Sequence, residues 1–333
     1  MTRVPPPRRF PFSPAGGTVV TTSPARARRR SDGDGAAVSW AARRAIAEEA
    51  YRLFVESGRD ASAAPSCWHA AEARHAREGR SESDGERMTL LPGWRGRAIE
   101  GVVRLLQRFD LLWRVNFSVR GTFDCQPIRV PILFGHGAQQ FAIGERWMLA
   151  VLRSLLARRP GTFVDVGVNL GQTLLKVKLI DPGRRYCGFE PNPQAYQYAT
   201  ELVRQNGFAH CHLYPIGLAA RIEFAGDAFA HELGNEVAVV KIDVEGGELE
   251  VLQGLHATVM RHRPFILCQI LPVFERESET GRFRLRRQRE IESLLARWRY
   301  RIFRIHLDGT LSELDEIEAH ADMTRCTYLF APD

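Results

Sequence analysis

Lysine is nearly absent from this chain. Three lysines (Lys176, Lys178 and Lys241) stand against 43 arginines in 333 residues. The net charge of +7 is therefore arginine charge, and it is spread along the chain without a dense basic helix that carries interleaved aromatic residues. Scattered arginine is typical of solvated surface, so the composition argues against a nucleic-acid partner.

Closely spaced cysteines and long apolar runs are also missing. The six cysteines lie far apart without a C-x-x-C pair, and several lie inside apolar runs, which predicts reduced, buried thiols in a cytoplasmic protein. The triplet His210-Cys211-His212 has no third ligand nearby on the face that its histidines would share in a strand, so no metal is predicted. No apolar run reaches the roughly 18 residues that a membrane span needs.

The first 87 residues differ in amino-acid composition from the rest of the chain. Residues 1–38 are rich in Pro, Arg, Gly and Ser and cannot bury a core, and residues 57–87 return to Ser, Gly, Arg and acids. Between them, residues 39–56 carry apolar side chains at helical spacing. We therefore predict that residues 1–87 form a disordered extension with one helix at 39–56.

Residues 88–160 are predicted to form an N-terminal helical and β cap. An amphipathic helix is expected across residues 99–114, where arginines accompany the apolar positions Ile99, Val102, Val103, Leu106, Phe109 and Trp113. A basic amphipathic helix either covers an edge of its own domain or makes peripheral contact with a membrane surface, and the sequence leaves both open. Residues 115–145 are predicted to be β structure with a turn at Gly121, followed by a helix from Trp147 to Leu156.

Residues 161–333 alternate between strand and helix patterns. Strands are predicted at 163–167, 186–190, 211–217, 237–243, 264–270, 300–305 and 325–330. Helices are predicted near 170–179, 193–206, 246–260 and 284–297. This alternation indicates a doubly wound α/β fold with a mostly parallel sheet. Residues 307–322 are predicted to form a turn and a short helix.

Acidic residues end three of these strands. Asp165 lies near the end of an apolar run that a glycine turn follows, and Glu190 closes the next run. A third run ends in Lys241-Ile-Asp243-Val-Glu245-Gly. A strand, a glycine turn, a helix and a distal acid together hold the adenosine part of a cofactor in doubly wound sheets.

The glycine pattern distinguishes between two cofactors. A dinucleotide site needs G-x-G-x-x-G, but Asn169 and Gln172 occupy the second and third glycine positions. Asp165 would also repel a pyrophosphate at the helix start. S-adenosylmethionine carries an ammonium and a sulfonium, which reverses the sign of that interaction. It is the favoured cofactor, and a nicotinamide-dependent oxidoreductase remains the alternative.

The motifs FVDVGVNLGQT, GFEPNP and KIDVEGGELEVLQG, in this order, resemble those of the FkbM-type S-adenosylmethionine-dependent methyltransferases. The resemblance covers roughly residues 110–275. It implies a seven-stranded, Rossmann-like methyltransferase sheet and methyl transfer to a hydroxyl oxygen of a small-molecule acceptor, a sugar, glycolipid or secondary metabolite. It also implies a set of cofactor-binding residues: Asp165, Gly167, Asn169, Gly171, Thr173 and Glu190.

The same resemblance places Asp243 and Glu245 toward the acceptor. Either could be the general base for the acceptor hydroxyl, although acids before a helix also stabilise its start by about 0.3–1 kcal/mol. Lys241 is predicted to supply a compact cation that holds Asp243 or the acceptor oxygen. His231 is a competing base.

Two features depart from the family pattern. The stretch between Ile216 and Lys241 is shorter here than is usual in the family. In relatives, this stretch supplies a strand and a residue that touches the adenine. Asp227 is the candidate substitute for that residue. Cys268-Gln269 also stands where a Glu is common. The shortened stretch leaves open a catalytically weak, cofactor-binding relative.

Overall fold

The computed structural model describes residues 88–91, 93–109, 111–123, 126–143, 145–218 and 226–333. The predicted extension of residues 1–87, with its helix at 39–56, lies outside these residues.

The cap contains short strands and two helices. Its elements are β1 (Met88–Thr89), α1 (Gly93–Arg108), a 3-10 turn (Leu112–Arg114), β2 (Phe117–Phe123), β3 (Gln126–Ile132), β4 (Ala142–Ile143) and α2 (Arg146–Arg158). The turn predicted at Gly121 is wrong, because Gly121 lies within β2 and pairs with Ile128. A Cβ at Gly121 would lie 2.5 Å from the carbonyl oxygen of Leu90, so this glycine permits a close approach of two chain segments.

One large sheet forms the rest of the fold. Its strands are β5 (Thr162–Val166), β6 (Tyr186–Phe189), β7 (Cys211–Tyr214), β8 (Val237–Ile242), β9 (Phe265–Gln269), β10 (Tyr300–Ile305), β11 (Leu311–Leu314) and β12 (Thr327–Pro332). They are ordered β11-β10-β12-β9-β8-β5-β6-β7. The pairs from β9 to β7 are parallel, and the pairs β9-β12, β12-β10 and β10-β11 are antiparallel. The predicted doubly wound α/β fold is confirmed.

The sheet has eight strands instead of the predicted seven. The additional strand, β11, lies where residues 307–322 were predicted to form a turn and a short helix. Leu311–Leu314 has no apolar alternation that would mark a strand, and it is held by pairing with the edge of β10. The neighbouring strand therefore determines this element.

Helices connect the parallel strands. They are α3 (Gln172–Ile180), α4 (Pro193–Asn206), α5 (Ala230–Leu233), α6 (Glu248–Gly254), α7 (His256–His262) and α8 (Glu279–Trp298). The helix predicted at 246–260 is divided into α6 and α7 at Leu255. Asp227 accounts for the division, because its carboxylate accepts hydrogen bonds from the backbone amides of Ala257 and Thr258 at the start of α7.

The core lies on both faces of the sheet. On one face, Val164 and Val240 pack with apolar residues of α6, α7 and α8, and on the other, Phe163 and Val239 pack with α2, α3 and α4. Every residue of β5 and β8 is buried, as expected for central parallel strands. Polar side chains can therefore reach solvent only at the strand ends.

The cysteines of the described ranges are free thiols, and Cys187, Cys268 and Cys326 are buried. Burial raises the pKa of Cys187 to about 12, so this thiol is protonated at neutral pH. Within the same ranges, none of the helices combines the length and the apolarity that crossing a membrane requires.

Candidate active site

The three acidic strand ends meet at one edge of the sheet. Strand β5 lies between β6 and β8, and Asp165 pairs with Gly188 on one side and with Lys241 on the other. Glu190 follows β6 and Asp243 follows β8 at the carboxyl ends of these strands. In open α/β sheets, ligands bind in the crevice outside this edge.

The turn after β5 has left-handed backbone at three positions. Gly167, Asn169 and Gly171 have φ angles of +90°, +51° and +78°. A Cβ at Gly167 would lie 2.0 Å from the carbonyl oxygen of Asp243. Glycine is therefore required here because the turn closely approaches the backbone after β8. This contact holds the ends of β5 and β8 together.

Glu190 links this turn to β6. Its side chain is 2% exposed, Oε2 accepts from the backbone N of Asn169 at 2.7 Å, and Oε1 accepts from the backbone N of Asn192 at 2.8 Å. A carboxylate oxygen can accept two hydrogen bonds. Glu190 thus shapes the turn, and it lies at the sheet edge where the family resemblance places a cofactor-binding acid.

Lys241 lies at the centre of the edge. Its Nζ donates to the carbonyl oxygen of Gly167 at 2.8 Å and lies 3.2 Å from Asp165 Oδ1 and 3.4 Å from Asp243 Oδ2. Burial lowers the pKa of Lys241, but Asp165 and Asp243 outweigh burial and raise it overall. The ammonium thus donates one hydrogen bond to the backbone and pairs with two carboxylates, which keep it charged.

Asp165 lies beneath the site and does not line it. It is 0% exposed, and the Tyr186 hydroxyl donates to its Oδ2. Burial raises the pKa of Asp165, whereas Lys241 and the Tyr186 hydroxyl oppose that rise. In this conformation Asp165 supports the edge from beneath, and its predicted direct contact with the cofactor stays a prediction. Tyr186 was missed because nothing in its apolar strand marks it as polar support.

Asp243 and Glu245 differ in geometry. The Asp243 side chain is 31% exposed, so it reaches the crevice while Lys241 holds one of its oxygens. In a continuous extended strand, alternation would put Glu245 on the same side as Asp243. However, β8 ends at Ile242, and Glu245 has a left-handed φ of +54°, so the extended alternation does not continue to Glu245. Left-handed backbone in a non-glycine residue is uncommon and clusters at functional sites.

Glu248 is a further acid that the sequence analysis missed. It is 4% exposed, and its Oε1 accepts from the backbone N of Gly246 at 2.7 Å. This contact closes the turn between Asp243 and α6. Burial raises the pKa of Glu248 to about 7. Its place in the first turn of α6 does not mark it as buried, and only the packing shows that it is.

We expect Glu248 to make the stability of the fold depend on pH. Because its pKa is raised on folding, the native state binds more protons than the unfolded state above about pH 4.5, and stability falls as pH rises toward 7. A shift of this size corresponds to about 3 kcal/mol. In urea denaturation from pH 4.5 to 8, Glu248→Gln should remove this slope. The exposed control Glu277→Gln should keep it, and equal slopes in both variants would contradict the assignment.

Two predicted cofactor residues have other contacts. Thr173 is buried, and its hydroxyl lies 4.0 Å from Met148 Sδ, on the side of α3 that packs against α2. Both carboxylate oxygens of Asp227 accept hydrogen bonds at the start of α7, including one from the Thr258 hydroxyl. Thr173 therefore supports helix packing, and the adenine contact of Asp227 stays a prediction.

His231 lies at the opposite edge of the sheet. It lines a cavity of about 460 Å³ together with Arg185, Gly234 and Asn235, which lie at the amino ends of β6 and β8. The proposal of His231 as a competing base is therefore wrong. This cavity is also not the cofactor site, since none of the motif residues lines it. In the ranges that the structure describes, no group of three His, Cys, Asp or Glu side chains could hold a metal ion.

Comparison with protein families supports the motif resemblance. Residues 219–302 match the methyltransferase FkbM domain, and this range includes the KIDVEG motif at the carboxyl end of β8. The resemblance to FkbM-type methyltransferases is thus confirmed in this region. None of the curated protein sequences matches the chain.

Several solved structures are similar at low identity. A methyltransferase FkbM from Methylobacillus flagellatus is 19% identical, with a TM-score of 0.37 over 51% of this chain and 43% of that one. Fibrillarin from Aeropyrum pernix, solved with S-adenosylmethionine bound, is 16% identical, with a TM-score of 0.39 over 74% and 87%. A putative caffeoyl-CoA O-methyltransferase from Staphylococcus aureus is 12% identical, with a TM-score of 0.40 over 69% and 91%. This chain therefore spans less than half the length of the Methylobacillus protein.

Proposed function

We propose, from the methyltransferase FkbM domain in residues 219–302, that this chain is an S-adenosylmethionine-dependent methyltransferase. The acceptor atom we infer is a hydroxyl oxygen of a sugar, glycolipid or secondary metabolite. The observation that carries the proposal is the contact of Glu190 with the backbone of Asn169, which joins a strand-end acid to the turn after the neighbouring strand.

The charge of the site favours this cofactor. Lys241 is the ammonium among the acids of this sheet edge, which are Asp165, Glu190, Asp243 and Glu245. A positively charged sulfonium and ammonium gain from such surroundings, whereas the pyrophosphate of a nicotinamide cofactor loses. The absence of the dinucleotide glycines points the same way. These arguments rank the oxidoreductase alternative second.

The chain's residues divide the work between binding and chemistry. When bound, S-adenosylmethionine supplies an electrophilic methyl group on its sulfonium. Glu190 would accept hydrogen bonds from the ribose hydroxyls, and the left-handed turn at Gly167–Gly171 would let the backbone follow the cofactor. Asp243 would take the proton of the acceptor hydroxyl as its oxygen attacks. Lys241 would position Asp243, whose Oδ2 lies 3.4 Å from its Nζ.

Ligand-dependent thermal stability tests the choice of cofactor. A ligand present at a hundred times its Kd stabilises the protein by about 2.7 kcal/mol. We expect S-adenosylmethionine and S-adenosylhomocysteine to raise the Tm, and NAD and NADP to leave it unchanged. A rise with NAD or NADP alone would favour the oxidoreductase instead.

Replacing Glu190 should weaken cofactor binding. Each hydrogen bond from a ribose hydroxyl to a charged acceptor contributes about 1.5–3 kcal/mol, so Glu190→Gln should raise the Kd of S-adenosylmethionine by roughly 10- to 100-fold. Isothermal titration calorimetry gives this value. The matched control is Glu201→Gln, because Glu201 pairs with Arg204 on α4, outside the site. An unchanged Kd in Glu190→Gln would remove Glu190 from the cofactor site.

A further inference from the structure

The cap exposes an unusual share of apolar side chains. Across the described ranges, eight large apolar side chains are exposed, and six of them belong to the segment from α1 to the turn after β3. We call these six the cap face: Val102, Leu105, Phe109, Leu111, Trp113 and Phe134. Their exposed fractions run from 38% to 62%. A group of this kind marks a surface that contacts something else.

The exposure does not come from a loosely packed helix. Val103 on α1 and Leu112 after it are 2% and 3% exposed, so another side of this segment is packed in the core of the cap. Val102, Leu105 and Phe109 follow one another at spacings of three and four residues, which places them on one face of the helical segment. The helix therefore has one apolar stripe in the core and a second that is exposed.

The remaining aromatic residues of the cap face lie close together. A Cβ at Gly135 would be 3.7 Å from the Cβ of Trp113, so the turn that carries Phe134 packs beside Trp113. Trp113 is 55% exposed, and the guanidinium of Arg114 lies over its ring at 4.9 Å. Tryptophan with a neighbouring arginine suits the boundary between lipid headgroups and acyl chains in a membrane. There the apolar part of the ring is buried while its polar edge stays solvated.

Arginines flank the exposed stripe. Arg97, Arg104 and Arg108 are exposed and are spaced seven and four residues apart, so they share a side of α1 next to Leu105. Residues 93–114 contain five arginines and two acids, Glu100 and Asp110, and Glu100 pairs with Arg104 at 3.1 Å. The cap face thus combines apolar side chains with a surplus of positive charge.

We propose that the cap face docks onto an anionic phospholipid surface. An exposed apolar stripe bordered by arginines is the arrangement of helices that lie in the plane of a membrane interface. Two copies of the chain meeting through this face would bring their arginines together, whereas anionic headgroups neutralise them. The cap face lies outside the motif edge, so docking does not depend on the proposed methyl transfer.

Co-sedimentation of the full chain with vesicles tests the docking. We expect binding to vesicles of phosphatidylcholine and phosphatidylglycerol at 3:1, and little binding to phosphatidylcholine alone. Leu105→Ser/Phe109→Ser should weaken binding more than tenfold. Arg104→Gln/Arg108→Gln should weaken it by about fivefold for each arginine, with a loss that shrinks at high salt. The control Met260→Ser/Leu307→Ser changes exposed apolar residues elsewhere and should bind like the parent.

Vesicle binding and the Kd of S-adenosylmethionine are both measured for each variant, so that the outcomes can be distinguished. The Kd of S-adenosylmethionine should be the same in all variants, so loss of vesicle binding cannot be attributed to unfolding or to a failed cofactor assignment. Equal vesicle binding by Leu105→Ser/Phe109→Ser and the parent would overturn the proposal. So would a parent that ignores vesicles but forms a dimer that this variant dissociates, since a second copy would then cover the cap face. A third outcome would also overturn the proposal: the parent does not bind vesicles, and a protease cleaves within residues 1–87 faster in this variant than in the parent. Residues 1–87 would then be the segment that covers the cap face.

Discussion

Replacing Lys241 with methionine is expected to lower the free energy of unfolding by about 3–5 kcal/mol, the usual cost of removing one partner from a buried ion pair. Methionine keeps most of the length of the side chain but leaves Asp165, which is 0% exposed, without its cation. It also removes the donor to the carbonyl oxygen of Gly167. Urea denaturation monitored by circular dichroism measures the loss.

The dependence of this loss on pH separates charge from packing. Without Lys241, burial should raise the pKa of Asp165 further, so the native state would bind a proton that the unfolded state releases above about pH 4. The stability of Lys241→Met should therefore recover as pH falls. Adding Asp165→Asn should restore part of it at neutral pH. A loss below 1 kcal/mol, or one that pH does not affect, would show that the pair is not buried as described.

The other two lysines have the same character. Lys176 and Lys178 are 2% and 1% exposed. Lys176 pairs with Glu145 at 2.8 Å, and Lys178 donates to three backbone carbonyl oxygens, those of Pro182, Arg184 and Ala209. In this chain, arginine supplies nearly all other positive charge. At Lys178 and Lys241, a compact ammonium meets three oxygens in a space that a planar guanidinium would not fill in the same way.

Replacing Asp243 with asparagine is expected to reduce methyl transfer by about 10²- to 10⁴-fold while the Kd of S-adenosylmethionine changes little. The substitution keeps the size of the side chain and removes the charge that accepts a proton. The rate can be measured as incorporation of label from methyl-labelled cofactor into acceptors of a host extract, at saturating cofactor.

Two comparisons distinguish the roles of Asp243. Glu245→Gln is the matched variant, since it removes the neighbouring charge from a residue whose backbone turns away from the strand. If Asp243 only supports the loop, Asp243→Asn should lose under about 1 kcal/mol of stability and keep its rate. If it contacts the cofactor, affinity and rate should fall together. A rate within threefold of the parent would end the proposal of Asp243 as the base and leave Glu245 as the remaining candidate.

The site could be predicted from the sequence to the level of the strand ends. Apolar runs that end in Asp165, Glu190 and Asp243 show where buried strands leave the core, and parallel strands bring such ends to one edge. The helix from Pro193 to Asn206 was also predicted correctly, because Asn192 caps it at one end and Gly207 ends it at the other. Such signals are local, so a single sequence contains them.

What the sequence by itself determined is the α/β alternation, the three acidic strand ends and the methyltransferase motifs. The tertiary structure alone decided which of the acids line the crevice. Asp165 is sealed by Tyr186 and Lys241, which reach it from β6 and β8, and Glu248 is buried by the packing of α6. Only pairing with β10 makes β11 a strand. The physical reason is that burial and ionisation depend on neighbours from distant parts of the chain, whereas hydrophobic periodicity reports only the residues next to one another.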